Sequence, residues 1–142
     1  MDNGRWEFDS QMNPEKNSGF VYVIVDNVMG MGYIGKKGYM SNAGGRLQQS
    51  NWRTYLSSSN TLKLIFEHRD LTEFSFICIE EYKSKGDLAY AESWSLFKVK
   101  ALEKQAFWYN KGIESVSWAV KVPPTERHKG RLDEAVRRVY GG

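Results

Sequence analysis

Residues 20–25 read Phe-Val-Tyr-Val-Ile-Val, and this run constrains the fold more than any other feature. β-Branched and aromatic side chains fit a pleated surface. An unbroken apolar run this short fits a buried strand. Asp26, Asn27, Gly30 and Gly32 then mark a turn, and Tyr33-Ile34-Gly35 opens a second strand. The two segments predict a β-hairpin whose loop exceeds the ideal two residues.

The rest of the chain alternates helical and extended patterns. Residues 1–18 read as an extended arm, broken at Asn13-Pro14 and Asn17-Ser18. Residues 38–60 are rich in Gly, Ser and Asn, with Trp52-Arg53-Thr54-Tyr55 embedded, and carry no assigned element. Ser57, Ser58 and Ser59 offer N-caps for a helix over 61–69. Residues 74–79 predict a third strand, with the imperfect alternation of a central strand covered on both faces. Gly86-Asp87 opens a helix of about 18 residues with Tyr90, Trp94, Phe97 and Ala101 as its apolar stripe. Residues 116–122 read as a fourth strand or an extended link, and residues 126–140 as a helix with Leu132, Ala135, Val136 and Val139 on one face. The expected fold is α+β: a small three-stranded antiparallel sheet flanked by helices, with a C-terminal helix.

Charge narrows the partner. The 142 residues carry a net charge of +3, and 41% are hydrophobic, which fits one globular domain. Six Lys/Arg against three Asp/Glu lie from Lys121 onward, so that segment carries the entire excess. A second basic stretch holds Lys36, Lys37, Arg46, Arg53, Lys63 and Arg69 against Glu67 alone. Two basic segments fit a nucleic-acid partner. No apolar run approaches the roughly 20 residues of a spanning helix. The polar N-terminus resembles no secretory signal, and the single Cys78 suits a reducing compartment. The expectation is a cytoplasmic protein without membrane contact.

Tyr22 and Tyr33 lie eleven residues apart on the two hairpin strands. Arg46, Arg53, Glu92 and Asn110 follow in that order. This ordered set resembles the GIY-YIG nuclease family. The first motif is degenerate here, Gly19-Phe20-Val21-Tyr22, while Tyr33-Ile34-Gly35 is intact. The resemblance implies a GIY-YIG-like domain over 19–112, between the arm at 1–18 and an extension at 113–142. It also implies DNA hydrolysis with one divalent metal, Mg²⁺ or Mn²⁺. By the same resemblance Tyr22 is the general base or water positioner, and Tyr33 helps hold water and phosphate. Glu92 anchors the metal, and Asn110 supports the site.

Arg46 and Arg53 both fit the family's phosphate-binding arginine, with Arg53 favoured slightly. Lys36 is expected to favour a phenolate, and Tyr55 to supply a third hydroxyl. Lys37 and a stripe of Arg127, Arg131 and Arg138 on the last helix are expected on DNA phosphates. A monomer or a transient homodimer on DNA is expected. The competing function is an inactive nucleic-acid- or protein-binding module on the same fold. His68 and His128 lack metal-ligand spacing, and Cys78 reads as a buried small hydrophobe.

Overall fold

A computed structural model of the chain describes residues 2–114, 116 and 119–141. The expected hairpin is β1 (Gly19–Asp26) against β2 (Met31–Gly38). A second hairpin, β3 (Met40–Ala43) and β4 (Arg46–Gln49), follows where the sequence pattern assigned no element. Its turn is Gly44-Gly45, both at positive φ (61° and 77°), which a two-residue hairpin loop of this type needs. Then come α1 (Asn60–His68), β5 (Phe74–Tyr82), α2 (Lys85–Lys98) and α3 (Glu126–Val139).

The main sheet is antiparallel with order β2-β1-β5. The central strand is therefore β1, whose eight residues are all buried, and not the third strand of the sequence. β5 is nonetheless enclosed. Glu7 pairs along its open edge, donating to Phe76 O at 2.8 Å and accepting from Cys78 N at 2.9 Å. The outer edge of β2 is covered in the same way by residues 107–110, for Gly32 N donates to Phe107 O and Tyr109 N to Gly32 O, each at 2.8 Å. These bridges cover part of each outer edge of the main sheet.

Two cores lie on the two faces of the sheet. One joins Val21, Val23, Val25, Ile34, Ile77 and Ile79 to Leu88, Ala91 and Leu96 of α2, to Leu132, Ala135 and Val139 of α3, and to Trp108. The other joins Phe20, Tyr22, Ile24, Phe74, Phe76 and Cys78 to Trp6, Met12, Tyr39, Trp52 and Leu62. Trp6 and Met12 are 3% exposed, so the N-terminal segment packs into the domain.

α2 is shorter than its pattern predicts, and only part of the expected stripe faces the core: Ala101 is buried and Trp94 packs against the core residues. Phe97 is 69% and Tyr90 37% exposed, while Leu88, Ala91, Ser95 and Leu96 are buried. Lys100 has a left-handed φ of 56°; its N–H donates to Phe97 O and that of Ala101 to Leu96 O. These two bonds make a Schellman end without the usual glycine, which is why the sequence suggests a longer helix. Ser84 caps the start of α2 and Ser59 that of α1. The segment read as a fourth strand or link falls partly outside the described residues; Lys121 and Val122 carry no strand and donate backbone N–H groups to Asp87 Oδ1 at 2.7 and 2.9 Å.

Candidate active site

Cross-strand register builds the centre of the site. Tyr22 stands opposite Gly35, and Tyr33 opposite Ile24. Side chains alternate along a strand, so Tyr22 and Tyr33 share one face. Their ring centroids are 6.2 Å apart, and Tyr55 meets the Tyr22 ring edge-on at 6.1 Å. Trp6 packs against Tyr22 from a further side, with ring centroids 5.0 Å apart.

Lys37 and Lys36 point to opposite faces of β2. Lys37 Nζ lies 4.1 Å from the centre of the Tyr55 ring. Lys36 Nζ reaches over the other side, 2.9 Å from Glu114 Oε2 and 3.6 Å from Glu92 Oε1. Glu92 sits on α2 with a side chain only 12% exposed. Its negative charge is felt by the phenols of both Tyr22 and Tyr33. The group thus gathers around the edge of β2 from both faces of the sheet.

Asn110 clamps that edge. Its Oδ1 accepts from Ile34 N at 3.0 Å and its Nδ2 donates to Ile34 O at 2.7 Å. Both backbone groups of the residue between Tyr33 and Gly35 are thereby satisfied by one side chain, which fixes the strand carrying them. At the far end of the hairpin, buried Asp26 accepts from Arg69 at 2.6 and 2.8 Å, from Tyr109 Oη at 2.7 Å and from two turn amides. Burial alone would raise the Asp26 carboxyl; these donors bring it down to about 2.

Burial dominates the ionisation of the site. It holds the Tyr22 phenol well above its usual value, with the charges at Tyr33, Tyr55 and Glu92 adding to the effect and the Ser57 hydroxyl opposing it. Burial also raises Tyr33, against hydrogen bonds from Ser58 and Ser57. The Glu92 carboxyl is raised by burial, and Lys36 offsets that only in part. Lys36 is itself raised by Glu92 and Glu114, which outweigh its own desolvation.

Glu92 is thus a largely enclosed carboxylate whose charge is only partly offset by Lys36. A carboxylate oxygen of this kind fits a hard divalent cation. Among the described residues no group of three or more His, Cys, Asp or Glu gathers to hold a metal. A cation here would rely on Glu92 and retain most of its waters.

Beside these residues a cleft of about 690 Å³ opens between the β3–β4 hairpin and the start of α2, lined by Lys36, Lys37, Asn42, Leu47, Tyr55 and Glu114 among others. A second cavity, of about 200 Å³, lies on the opposite edge of the sheet beside Glu7, Asp9 and Arg131.

The family model described as "Putative endonuclease segE, GIY-YIG domain" matches residues 5–113. The chain belongs to the GIY-YIG nuclease family. The GIY-YIG match begins before the first motif, in keeping with the packing of Trp6 against Tyr22. No curated protein and no solved structure matches the chain significantly.

Some residues expected in the GIY-YIG site are engaged elsewhere. Arg53 pairs with Asp2 at 3.2 Å, donates to Gln49 Oε1 at 3.1 Å and stacks on Trp52 at 4.3 Å. Arg46 is exposed at the start of β4, beside the Gly44-Gly45 turn. Neither has a contact to the tyrosines given by this geometry. Arg127 binds Glu80 at 2.6 Å and Asp9 at 3.2 Å. Arg131 donates to Cys78 O at 2.7 Å and Glu7 O at 3.2 Å, and Arg138 to Ser75 Oγ at 2.8 Å. This stripe ties α3 to β5 and to the N-terminal segment. Sequence reasoning missed Ser57, Ser58 and Glu114. The serines read as a helix cap, and nothing in the residues around Glu114 points to Lys36.

Proposed function

We propose that the protein is a metal-dependent DNA endonuclease that hydrolyses one phosphodiester bond per encounter. The observation that carries this reading is the convergence of Tyr22, Tyr33, Lys36 and Glu92 on one strand edge beside a lysine-lined cleft. The duplex lies along that cleft. Lys37 and Lys36 meet its phosphates, and Arg46 on the β3–β4 ribbon meets the backbone further out. A two-stranded ribbon also fits the major groove, so Asn42, on the ribbon face that lines the cleft, is placed to reach base edges.

Tyr22 orients the attacking water and accepts its proton in the phenolate form. Ionising an ordinary phenol at pH 7 already costs about 4 kcal/mol, and burial adds to that. The rate should therefore climb as pH rises, because the phenolate fraction grows. Tyr33 holds the water and a phosphate oxygen from the other side. A divalent cation held by Glu92 would stabilise charge on the phosphate and the leaving oxygen. Lys36, shared between Glu92 and Glu114, is free to turn toward Glu114 when Glu92 takes another positive partner. Asn110 keeps Tyr33 and Gly35 in register.

A second reading, a DNA-binding module without catalysis, draws on the enclosure of Tyr22, which is 1% exposed. Incubation of the protein with supercoiled plasmid in Mg²⁺, with EDTA as control, separates the two. Nicked circles that form only with metal support the nuclease. Retention of the plasmid without any nicking supports the module.

A further inference from the structure

The β3–β4 ribbon stands clear of both cores. All four residues of β4 are exposed, and a Cβ added to Gly44 or Gly45 at its tip would meet no atom within 4 Å. Leu47 is 73% exposed, the highest value of any large hydrophobic side chain among the described residues. An exposed leucine is ordinary by itself. The company of Leu47 sets it apart.

Register puts Asn42 directly opposite Leu47, and Met40 opposite Gln49. Cross-strand partners share a face, and so do residues two apart. Met40, Asn42 and Leu47 therefore form one face of the ribbon, and the same three residues line the cleft beside Lys36, Lys37 and Tyr55. Ser41, Arg46 and Gln48 fall on the other face. Gln49 Oε1 is already engaged, accepting from Trp52 Nε1 at 3.2 Å and from Arg53 at 3.1 Å. Among the described residues nothing hydrogen-bonds the side-chain amide of Asn42.

A free amide beside an apolar side chain matches the major-groove edge of an A·T pair. Adenine offers an acceptor at N7 and a donor at N6, which a carboxamide meets with its own donor and acceptor. Thymine offers a methyl group, which takes an apolar contact. Directly opposed side chains leave the ribbon about 5 Å apart, so both can meet one base pair. A G·C pair has no methyl group, and guanine has no donor on this edge. Lys37 on the cleft wall and Arg46 at the ribbon tip supply positive charge for the flanking phosphates. That charge complementarity makes a nucleic acid the occupant of this face.

We propose that the β3–β4 ribbon reads one A·T pair of the duplex, with Asn42 on the adenine and Leu47 on the thymine methyl. This inference rests on the cleft as the DNA channel and is independent of catalysis.

The test is a binding selection in EDTA from duplexes that carry a randomised segment, with wild type, Asn42→Ala, Leu47→Ala and Lys37→Gln. Melting temperature is recorded for each protein. Affinities are then measured for the enriched duplex, for its G·C replacement and for a duplex with uracil in place of the thymine, which removes the methyl group alone. Wild type should enrich an A·T position and prefer it to G·C by roughly 5- to 150-fold. Asn42→Ala should lose that enrichment. Uracil should weaken wild type by about fourfold, the worth of one methyl group, and leave Leu47→Ala unaffected. Both ribbon variants should melt with wild type. Weaker binding by Lys37→Gln without an enriched A·T position overturns the role of the ribbon and leaves the cleft in place. So does an enrichment that survives Asn42→Ala, or a uracil effect equal in wild type and Leu47→Ala. Lys37→Gln binding as tightly as wild type overturns the cleft as well.

Discussion

The ring of Tyr22 lies directly over Gly35: a Cβ placed on residue 35 would stand 2.4 Å from both Cζ and Oη of the phenol. Gly35 is needed for space and not for an unusual backbone angle. The ring cannot step aside freely, because Trp6, Phe20, Tyr33 and Tyr55 surround it. The last residue of the Tyr33-Ile34-Gly35 motif thus makes room for the tyrosine of the neighbouring strand. Gly35→Ala should destabilise the fold by about 1–3 kcal/mol, the range for overpacking a tight core. Misplacing the phenol should slow plasmid nicking by at least about 100-fold. Urea unfolding and nicking rates check both, and a variant with wild-type values in each would show that the contact relaxes at no cost.

The arginines of α3 were expected on DNA phosphates, and they face the chain's own carboxylates and carbonyls. Replacing Arg127, Arg131 and Arg138 by Gln should therefore lower stability and leave the salt dependence of DNA affinity unchanged. Arg127→Gln alone takes the cation from Glu80, which is 5% exposed and keeps a depressed pKa, against its burial, chiefly through Arg127, and leaves it only the Thr125 hydroxyl and the Glu81 N–H as donors. A loss of about 2 kcal/mol follows for that variant. Filter binding across a salt series, paired with thermal melts, decides the point. A shallower log–log slope without a fall in melting temperature would return the helix to the DNA interface.

A buried histidine should make the fold sensitive to acid. Ser95 Oγ donates to Ala91 O at 2.7 Å, so the 2.6 Å contact with His128 uses the Nε2–H as donor. Nδ1 then accepts from Tyr82 Oη at 3.0 Å. Burial holds this neutral ring down to about 4, against a nearby Glu80 that pulls the other way. The unfolded chain takes up a proton near 6.5 and the folded one near 4, so stability is full above that window and falls as pH drops through it. The gap corresponds to about 3 kcal/mol. Urea midpoints between pH 7 and pH 4 should show this fall, and His128→Asn should flatten it. An unchanged slope in the variant would assign acid sensitivity to other groups.

Much of this was legible in the residues. The apolar run over 20–25 and the Tyr33-Ile34-Gly35 motif gave the hairpin, because strand periodicity and turn chemistry are local properties. Glu92 and Asn110 could be picked out only by their order in the chain. Nothing local announced that Asn110 would hold both backbone groups of Ile34. The β3–β4 ribbon had a signal, Gly44-Gly45 between short segments, that the polar composition of residues 38–60 obscured. The arginine stripe was read from helix periodicity, which tells which residues share a face but not what that face meets. Ser57 was invisible, since its positive φ of 129° comes from tertiary packing and leaves no mark in the sequence.

The central claim is that Tyr22 and Glu92 serve one hydrolytic site. The most direct measurement is the rate of supercoiled plasmid nicking in Mg²⁺ by wild type, Tyr22→Phe and Glu92→Gln, with plasmid retention in EDTA and melting temperature recorded for each. Tyr22→Phe deletes one oxygen, and Glu92→Gln removes the charge while retaining the shape. The account predicts at least about a 100-fold loss of nicking in both, a magnitude typical of a lost electrostatic contact in the transition state, with DNA retention and melting nearly unchanged. Nicking at the wild-type rate by either folded variant would contradict it.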